Sequence, residues 1–352
     1  MIGVGGRRVA SDRDDGGLLE LDAVKRAPAG EHDPASGFKE WFHFCVRLSD
    51  GHLIVNFSLL DRVSGRRAWT DAFVTVLSSW PTWRGFVRRF PLEEVRARHG
   101  EIDLQFGGNR LCYRAGTFTL AVVDRRLRLS AVLVPQARPT LSHLGLGAAS
   151  ALDWVIVPRL EASGSIEVDG LSAGLDRAPT YHDHNWGRFR WGADLAWEWG
   201  FVLPSDRDCP WAIVFSRMLA SGSAHTSSQG ILVWHGADYV RTFHDAEVSV
   251  IREGSHRQSR ALTLPPACAL LAPGAASGVP AGLVLRASGL DDHLDLGFAA
   301  ESYARIVIPS ETHSFEHIVL NEVAGRATVN GRIGEQAMAF EAPAIVEFVR
   351  GA

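Results

Sequence analysis

The chain has almost no lysine. Of 36 basic residues among 352, only Lys25 and Lys39 are lysines, both near the N-terminus, which argues against a Schiff-base enzyme. Cysteine is scarce too: Cys45, Cys112, Cys209 and Cys268 are widely spaced, and no CxxC pair exists, so a zinc ribbon or thioredoxin-type site is excluded. No charge sign dominates. The net charge of −4 gives no electrostatic case for nucleic acid or for an anionic membrane. There is no GxSxG elbow, no P-loop and no GxGxxG opening a helix; Gly3-Val4-Gly5-Gly6 precedes none. No cysteine stands beside a convincing base. The most apolar stretch, Ala267 to Leu285, is interrupted by Pro273, Gly274, Gly278, Pro280 and Gly282, so no stable membrane insertion is expected. Met1 to Gly17 carries Arg and Asp where a signal peptide needs an apolar run. These absences lead us to expect a cytoplasmic protein with reduced thiols and no cofactor.

What the chain does have is apolar content, 46%, enough for a sizeable core. Its pattern has period two. Phe42 to Leu48 and Leu53 to Leu60 alternate around Asp50-Gly51, and Thr117 to Val123 and Leu127 to Val134 form a similar pair. Ile166-Glu167-Val168 runs into Asp169-Gly170, and Ala327-Thr328-Val329 into Asn330-Gly331, both tight-turn signals. One short helix is expected, about Pro91 to His99. Strands do not alternate with helices, so an all-β barrel or sandwich is expected.

The chain also repeats itself. The interval from Glu40 to Phe57 equals that from Glu198 to Phe215, and each contains an acidic turn, Ser49-Asp50-Gly51 or Ser205-Asp206. We read a polar, poorly ordered lead-in over 1–36 and two related β domains over 37–190 and 191–352, each opening with the same hairpin.

The densest chemistry lies in Tyr181-His182-Asp183-His184-Asn185-Trp186-Gly187, followed by Trp197-Glu198-Trp199. On a strand, Tyr181, Asp183 and Asn185 point one way and His182, His184 and Trp186 the other. One reading makes the first set a hydrogen-bonded structural row and turns the second toward a pocket. His182-x-His184 also puts two imidazoles on one strand face, but further metal ligands are not evident, and no metal is assigned. His313 and His317, around Glu316, read as surface or loop residues.

The seven-residue motif, with Glu40-Trp41-Phe42, Trp197-Glu198-Trp199 and the final Ala344-Ile345-Val346-Glu347-Phe348, resembles the two-domain lipocalin-like proteins of the carotenoid 1,2-hydratase (hydroxyneurosporene synthase) type. Their relatives include tocopherol cyclase-like proteins and natural-product cyclases such as decalin-forming Diels–Alderases. The resemblance in layout runs from about Phe38 to Arg350. Tyr181, Asp183, Asn185 and Gly187 match the hydratase pattern Y-x-D-x-N-x-G, while His182, His184 and Trp186 fill its variable slots, which puts a carotenoid substrate in doubt.

The resemblance implies two tandem lipocalin-like antiparallel β-barrels around a ligand cavity. It implies a cofactor-independent cyclase, pericyclic or acid-initiated, acting on a hydrophobic polyene, polyketide or terpenoid. The alternatives are a hydratase adding water to an isoprenoid alkene and a non-catalytic lipid or pigment binder. His184 and Asp183 are the donor candidates and Glu198 the reserve acid, since an alkene must be protonated or a carbonyl polarised. Tyr181, His182, Trp186, Trp197, Trp199 and Trp41 are the candidate substrate-binding residues. Each indole would contribute about 0.5–2 kcal/mol by cation–π contact, too little to account for catalysis alone. Oligomeric state is not legible in the sequence.

Overall fold

The computed structural model describes residues 15–28, 30–64, 66–145, 151–191, 196–219, 226–257, 261–268, 278–312 and 316–351. They form two compact units. The first holds the described residues up to Ser78 together with Phe86–Phe189; the second holds Ser79–Gly85 and the described residues from Arg190 onward.

The first unit begins with helix α1 (Asp15–Asp22), inside the segment expected to be a lead-in. Its strands are β1 (Phe38–Leu48), β2 (Gly51–Ser64), β3 (Arg67–Ser78), β4 (Arg84–Phe90), β5 (Val95–Ala97) and β6 (Asp103–Phe106). They continue with β7 (Asn109–Arg114), β8 (Thr117–Val123), β9 (Leu127–Pro135), β10 (Thr140–Gly145), β11 (Ala151–Val168) and β12 (Leu171–Arg188). The sheet order is β4-β3-β2-β1-β12-β11-β9-β8-β7-β6-β5, with β10 beside β11. The first long strand therefore pairs with the last.

Alternation decides which side is core. In β9, Leu127, Leu129, Ala131 and Leu133 are buried, while Arg128, Ser130, Val132 and Val134 are exposed. The sheet curls on itself, because Phe57 of β2 meets Phe106 of β6 with ring centroids 5.4 Å apart, and Phe44 of β1 meets Phe118 of β8 at 5.5 Å. Asp169 and Gly170 both have positive φ (49° and 82°), as a tight hairpin turn between β11 and β12 requires.

The second unit has strands β13 (Ala196–Val202), β14 (Trp211–Leu219), β15 (Thr226–His235), β16 (Asp238–His244) and β17 (Val248–Glu253). It ends with β18 (Leu262–Leu264), β19 (Gly282–Gly289), β20 (Asp292–Pro309), β21 (His317–Ile333) and β22 (Gln336–Gly351). Their order is β16-β15-β14-β13-β22-β21-β20-β19-β17, so again the first strand of the unit pairs with the last. β18 joins β20 in parallel, the one departure from the expected antiparallel plan among the described strands. Strands from the two ends of this order pack into one core, with Phe243 of β16 and Leu285 of β19 in the same apolar cluster.

The two units open with equivalent hairpins. Phe42 stands opposite Phe57, and Gly200 opposite Phe215, in the same register. Two local expectations fail. The Pro91–His99 helix is only a 3-10 turn (Leu92–Glu94) that passes into β5; charged side chains there offer no apolar face to hold a longer helix. Asn330-Gly331 is not a turn but lies inside β21, because pairing with β22 continues to Ile333 and the chain reverses at Gly334 instead. His317 opens β21, and His313 lies outside the described residues. Among the described residues, no helix is long and apolar enough to cross a membrane.

Candidate functional site

The seven-residue motif is the last part of β12, paired along its length with β1. Glu40 stands opposite Trp186, Phe42 opposite His184 and Phe44 opposite His182. Opposed residues on an antiparallel pair share a face, so Glu40, Phe42, Phe44, His182, His184 and Trp186 form one surface turned to the inside of the first unit. The rings stack there: Phe42 on His184 at 3.8 Å and Phe44 on His182 at 4.0 Å, with Phe118 edge-on to His182 at 5.0 Å.

A buried charge cluster sits among these rings. His182 Nδ1 lies 2.8 Å from the His43 carbonyl oxygen and its Nε2 3.0 Å from Asp22 Oδ2. His184 Nε2 lies 2.9 Å from Glu40 Oε1, and its Nδ1 lies 3.2 Å from Asp22 Oδ1, an ionic contact at an angle too poor for a hydrogen bond. Glu40 also accepts the backbone N–H groups of Lys25 (2.6 Å) and Arg26 (3.0 Å). All four side chains, Asp22, Glu40, His182 and His184, are within 1% of complete burial.

Burial by itself would discourage charge on His184, but its contacts with Asp22 and Glu40 outweigh this and raise its pKa above the ordinary 6.5. Burial likewise works against the Asp22 carboxylate, yet His182 and His184 hold its pKa below the ordinary 3.8. His184 thus lies between two carboxylates that favour its protonated form. Trp186, half-buried, tilts against it at 4.8 Å and carries the Lys25 ammonium 5.0 Å over its ring.

The opposite face of the same strand carries Tyr181, Asp183 and Asn185. Tyr181 donates its hydroxyl to Asp183 Oδ2 (2.9 Å), and Asn185 donates its amide to Asp183 Oδ1 (2.8 Å). The three form a hydrogen-bonded row, the arrangement that alternation suggested. Burial pushes the Asp183 carboxyl up to about 6, against the pull of His182 and of its hydrogen-bond donors. Trp41 lies on this second face of β1 and packs edge-on to Phe189 at 6.1 Å.

The Trp197-Glu198-Trp199 triplet belongs to β13 of the second unit, where its residues also split between faces. Trp197 donates its indole N–H to Glu347, and Trp199 tilts against Phe201 at 5.3 Å. Glu198 points to the inside of that unit, with Oε2 3.2 Å from Arg217 and Oε1 against Arg252. Both oxygens of the reserve acid are therefore occupied by guanidinium groups.

Sequence reasoning missed Asp22 and gave Glu40 no role beyond the matched triplet. A signal for Asp22 existed: Leu18-Leu19-Glu20-Leu21-Asp22 is an apolar patch in a polar segment, and Leu18 and Asp22 are both buried. Among the described residues, no group of three or more His, Cys, Asp or Glu side chains is arranged to hold a metal ion. The histidines turn their nitrogens to carboxylates and a carbonyl instead.

No protein-family model matches the sequence, and no curated protein does. Solved structures do match. A candidate AttH protein of Nitrosomonas europaea superposes with a TM-score of 0.60 at 14% identity, over 93% of this chain and 98% of that one. Kievitone hydratase of Nectria haematococca gives 0.56 at 12% identity, over 94% and 97%. The structure of CghA with Sch210972 gives 0.50 at 10%, over 94% and 96%. The chain has the tandem lipocalin-like fold. At these identities the likeness concerns the fold, and function has to be argued from the site.

Proposed function

We propose that this protein is an enzyme that closes a ring on a hydrophobic polyene, polyketide or terpenoid by addition at a carbon–carbon double bond. The observation that carries this reading is the pair of buried titratable groups set back to back on β12: His184, stacked on Phe42, and Asp183, hydrogen-bonded by Tyr181 and Asn185. Asp183 is the acid we favour. With its carboxyl held near 6, it exchanges a proton close to neutral pH, and Tyr181 and Asn185 fix its orientation. Both nitrogens of His184 are taken by carboxylates, so its part is to keep a fixed positive charge and the strand geometry beside the acid. Glu198, engaged by two arginines, has no part in proton transfer in this reading.

The second reading is hydration of an isoprenoid alkene, favoured by the shared fold with a protein named as a hydratase. Cyclisation is preferred because Asp183 is buried, a place that admits little of the water hydration would consume. A cytoplasmic setting fits cysteines that are not joined in disulfides.

The test is incubation of the purified protein with a panel of linear polyenes carrying a polarised double bond, read by mass spectrometry. Cyclisation gives an isomer of unchanged mass; hydration adds one water. Asp183→Asn should lower turnover by about 10²–10⁴-fold with ligand affinity retained. Turnover at the wild-type rate in both Asp183→Asn and His184→Gln sinks the role assignment, and ligand bound but never converted identifies a carrier.

A further inference from the structure

The net charge of −4 conceals a local excess of the opposite sign. β5, β6 and β7 run side by side at one end of the first unit's sheet. Leu104, Phe106 and Leu111 on the core side of these strands are buried. The residues between them point outward. Arg96 stands opposite Gln105, and Gln105 opposite Arg110; Asp103 stands opposite Cys112, which lies between Arg110 and Arg114 on the outward face of β7. Arg98, just past β5, donates its backbone N–H to the Asp103 carbonyl oxygen (3.2 Å). Strand register therefore gathers four arginines around one aspartate.

Arg98 Nη1 lies 3.5 Å and Arg114 Nη2 3.8 Å from Asp103 Oδ2, while Arg110 Nη2 and Arg96 Nη2 lie 3.8 and 3.9 Å from Oδ1. These are ionic contacts, longer than hydrogen bonds. Ordinary surface pairs of the same unit differ: Arg177 grips Glu161 through two hydrogen bonds of 2.7 and 2.8 Å. A guanidinium carries five N–H donors, so Asp103 gathers the four groups without using up their donors. Its carboxylate is 3% exposed beneath them, whereas the arginine side chains are 46% to 65% exposed. Glu101, 3.4 Å from Arg98, is the second carboxylate in contact, and the six side chains together keep a surplus of two positive charges. Guanidiniums crowded in this way repel one another, and an anion above them relieves the repulsion.

We propose that Arg96, Arg98, Arg110 and Arg114 form a binding site for a phosphate group, carried by a soluble molecule or by a lipid headgroup. A phosphoryl group bears about −1.5 to −2 charge at pH 7 and three acceptor oxygens, which matches the surplus of charge and the donors turned to solvent. The guanidinium fork suits phosphate oxygens, and several forks on one anion add specificity. Asp103 is a positioning residue: it anchors the four side chains from below and does not touch the ligand. The site lies on the outward face of the first unit and is independent of the cyclase reading.

The test is calorimetric titration of the full-length protein with sodium phosphate and with sodium nitrate, at neutral pH and constant ionic strength. Phosphate should bind at least about tenfold more tightly than nitrate, a monoanion. Arg96→Gln and Arg110→Gln should each weaken phosphate about 3–10-fold, the worth of one hydrogen bond at a half-exposed place. Each variant leaves Asp103 three of its four arginines and should melt with the wild type, so that lost binding is not lost folding. Arg128→Gln, at an exposed position of β9 outside the group, should change nothing. Vesicles of phosphatidylcholine and phosphatidic acid in equal parts separate the two sources. Co-sedimentation that free phosphate displaces assigns the site to a lipid headgroup; phosphate binding without co-sedimentation assigns it to a soluble ligand. Absence of phosphate binding, equal affinity for phosphate and nitrate, unchanged affinity in either Arg96→Gln or Arg110→Gln, an equal loss in Arg128→Gln, or vesicle binding that phosphate does not displace overturns the proposal.

Discussion

The two units place the same backbone positions in different company. In the first, the rung of Phe42 and His184 and the next rung of Phe44 and His182 are filled by stacked rings and closed by Asp22 from α1. In the second, the corresponding residues are Gly200 with Val346 and Val202 with Ala344, all of them small, and all four line a cavity. Glu40 and Glu198 are equivalent by register and both fully buried, but one is answered by imidazole and backbone N–H groups and the other by two arginines. Equivalent strand registers thus carry a buried ionic cluster in one unit and small apolar side chains in the other. The strand geometry is common to both; the side chains at four positions decide which.

The largest effect should come from removing the equivalent glutamates. Glu40→Gln leaves the His184 imidazolium with one carboxylate in a fully buried place, and breaking such a pair costs about 3–5 kcal/mol. Glu198→Gln strips a partner from Arg217 and Arg252, whose side chains are 16% and 35% exposed and can hydrate, so about 1–3 kcal/mol is expected. Equilibrium urea unfolding of the two variants compares them directly. Equal losses would mean that the first cluster is not the more tightly sealed of the two.

How far this contrast could be read in advance differs by residue. Alternation and turn residues were enough for the all-β class and for most of the hairpins, because a strand with one buried face writes its geometry into every second side chain. The equal spacing of Glu40–Phe57 and Glu198–Phe215 was legible for the same reason, and the register reproduces it. The opposite faces of Tyr181/Asp183/Asn185 and His182/His184/Trp186 followed from period two alone. Asp22 did not. It reaches the histidines by a tertiary contact from 160 residues away, and no local pattern encodes such a partner. Glu198 misled for a related reason: a buried acid beside tryptophans looks the same in sequence whether an arginine or an alkene meets it. The Pro91–His99 segment had helix-start chemistry but no apolar stripe, and tertiary pairing as β5 prevailed.

A second, smaller difference should appear in pH dependence. The folded-state pKa of His184 is raised, so its contribution to stability is complete below about 6.5 and is lost as pH rises through the raised value. Asp22 has a lowered pKa, so its contribution is present above about 3.8 and is lost as pH falls through the folded value. His43, held neutral by burial with its pKa down at about 3, adds a loss of stability as pH falls from about 6.5. The first unit should therefore be most stable near pH 6.5, above the onset of the His43 loss and below the His184 transition, and weaken on both sides. Val346 and Ala344, at the equivalent places in the second unit, cannot titrate. Melting temperatures between pH 6 and 9 should fall on the alkaline side in the wild type, and this slope should flatten in Glu40→Gln. An unchanged slope in that variant would assign the alkaline loss to other groups.

The smallest effect tests the second unit from inside. Val346 faces the cavity on the rung where the first unit has His184. Val346→Ile adds one methylene into that room, and burying it is worth about 0.8 kcal/mol if the space accepts it without strain. The same kind of enlargement in a filled core costs about 1–3 kcal/mol, so the sign of the change reports whether the cavity is real. A gain in urea stability of up to about 0.8 kcal/mol supports the contrast drawn above; a loss would mean that Gly200 and Val202 are already covered, and that the second unit is packed as tightly as the first. Enlarging Gly200 would not be a fair test of the same space, because a Cβ there would come within 2.7 Å of the Ile345 carbonyl oxygen and strain the backbone before any side chain reached the cavity. The glycine is needed for close strand approach, and the valine opposite it is the position at which volume alone can be varied.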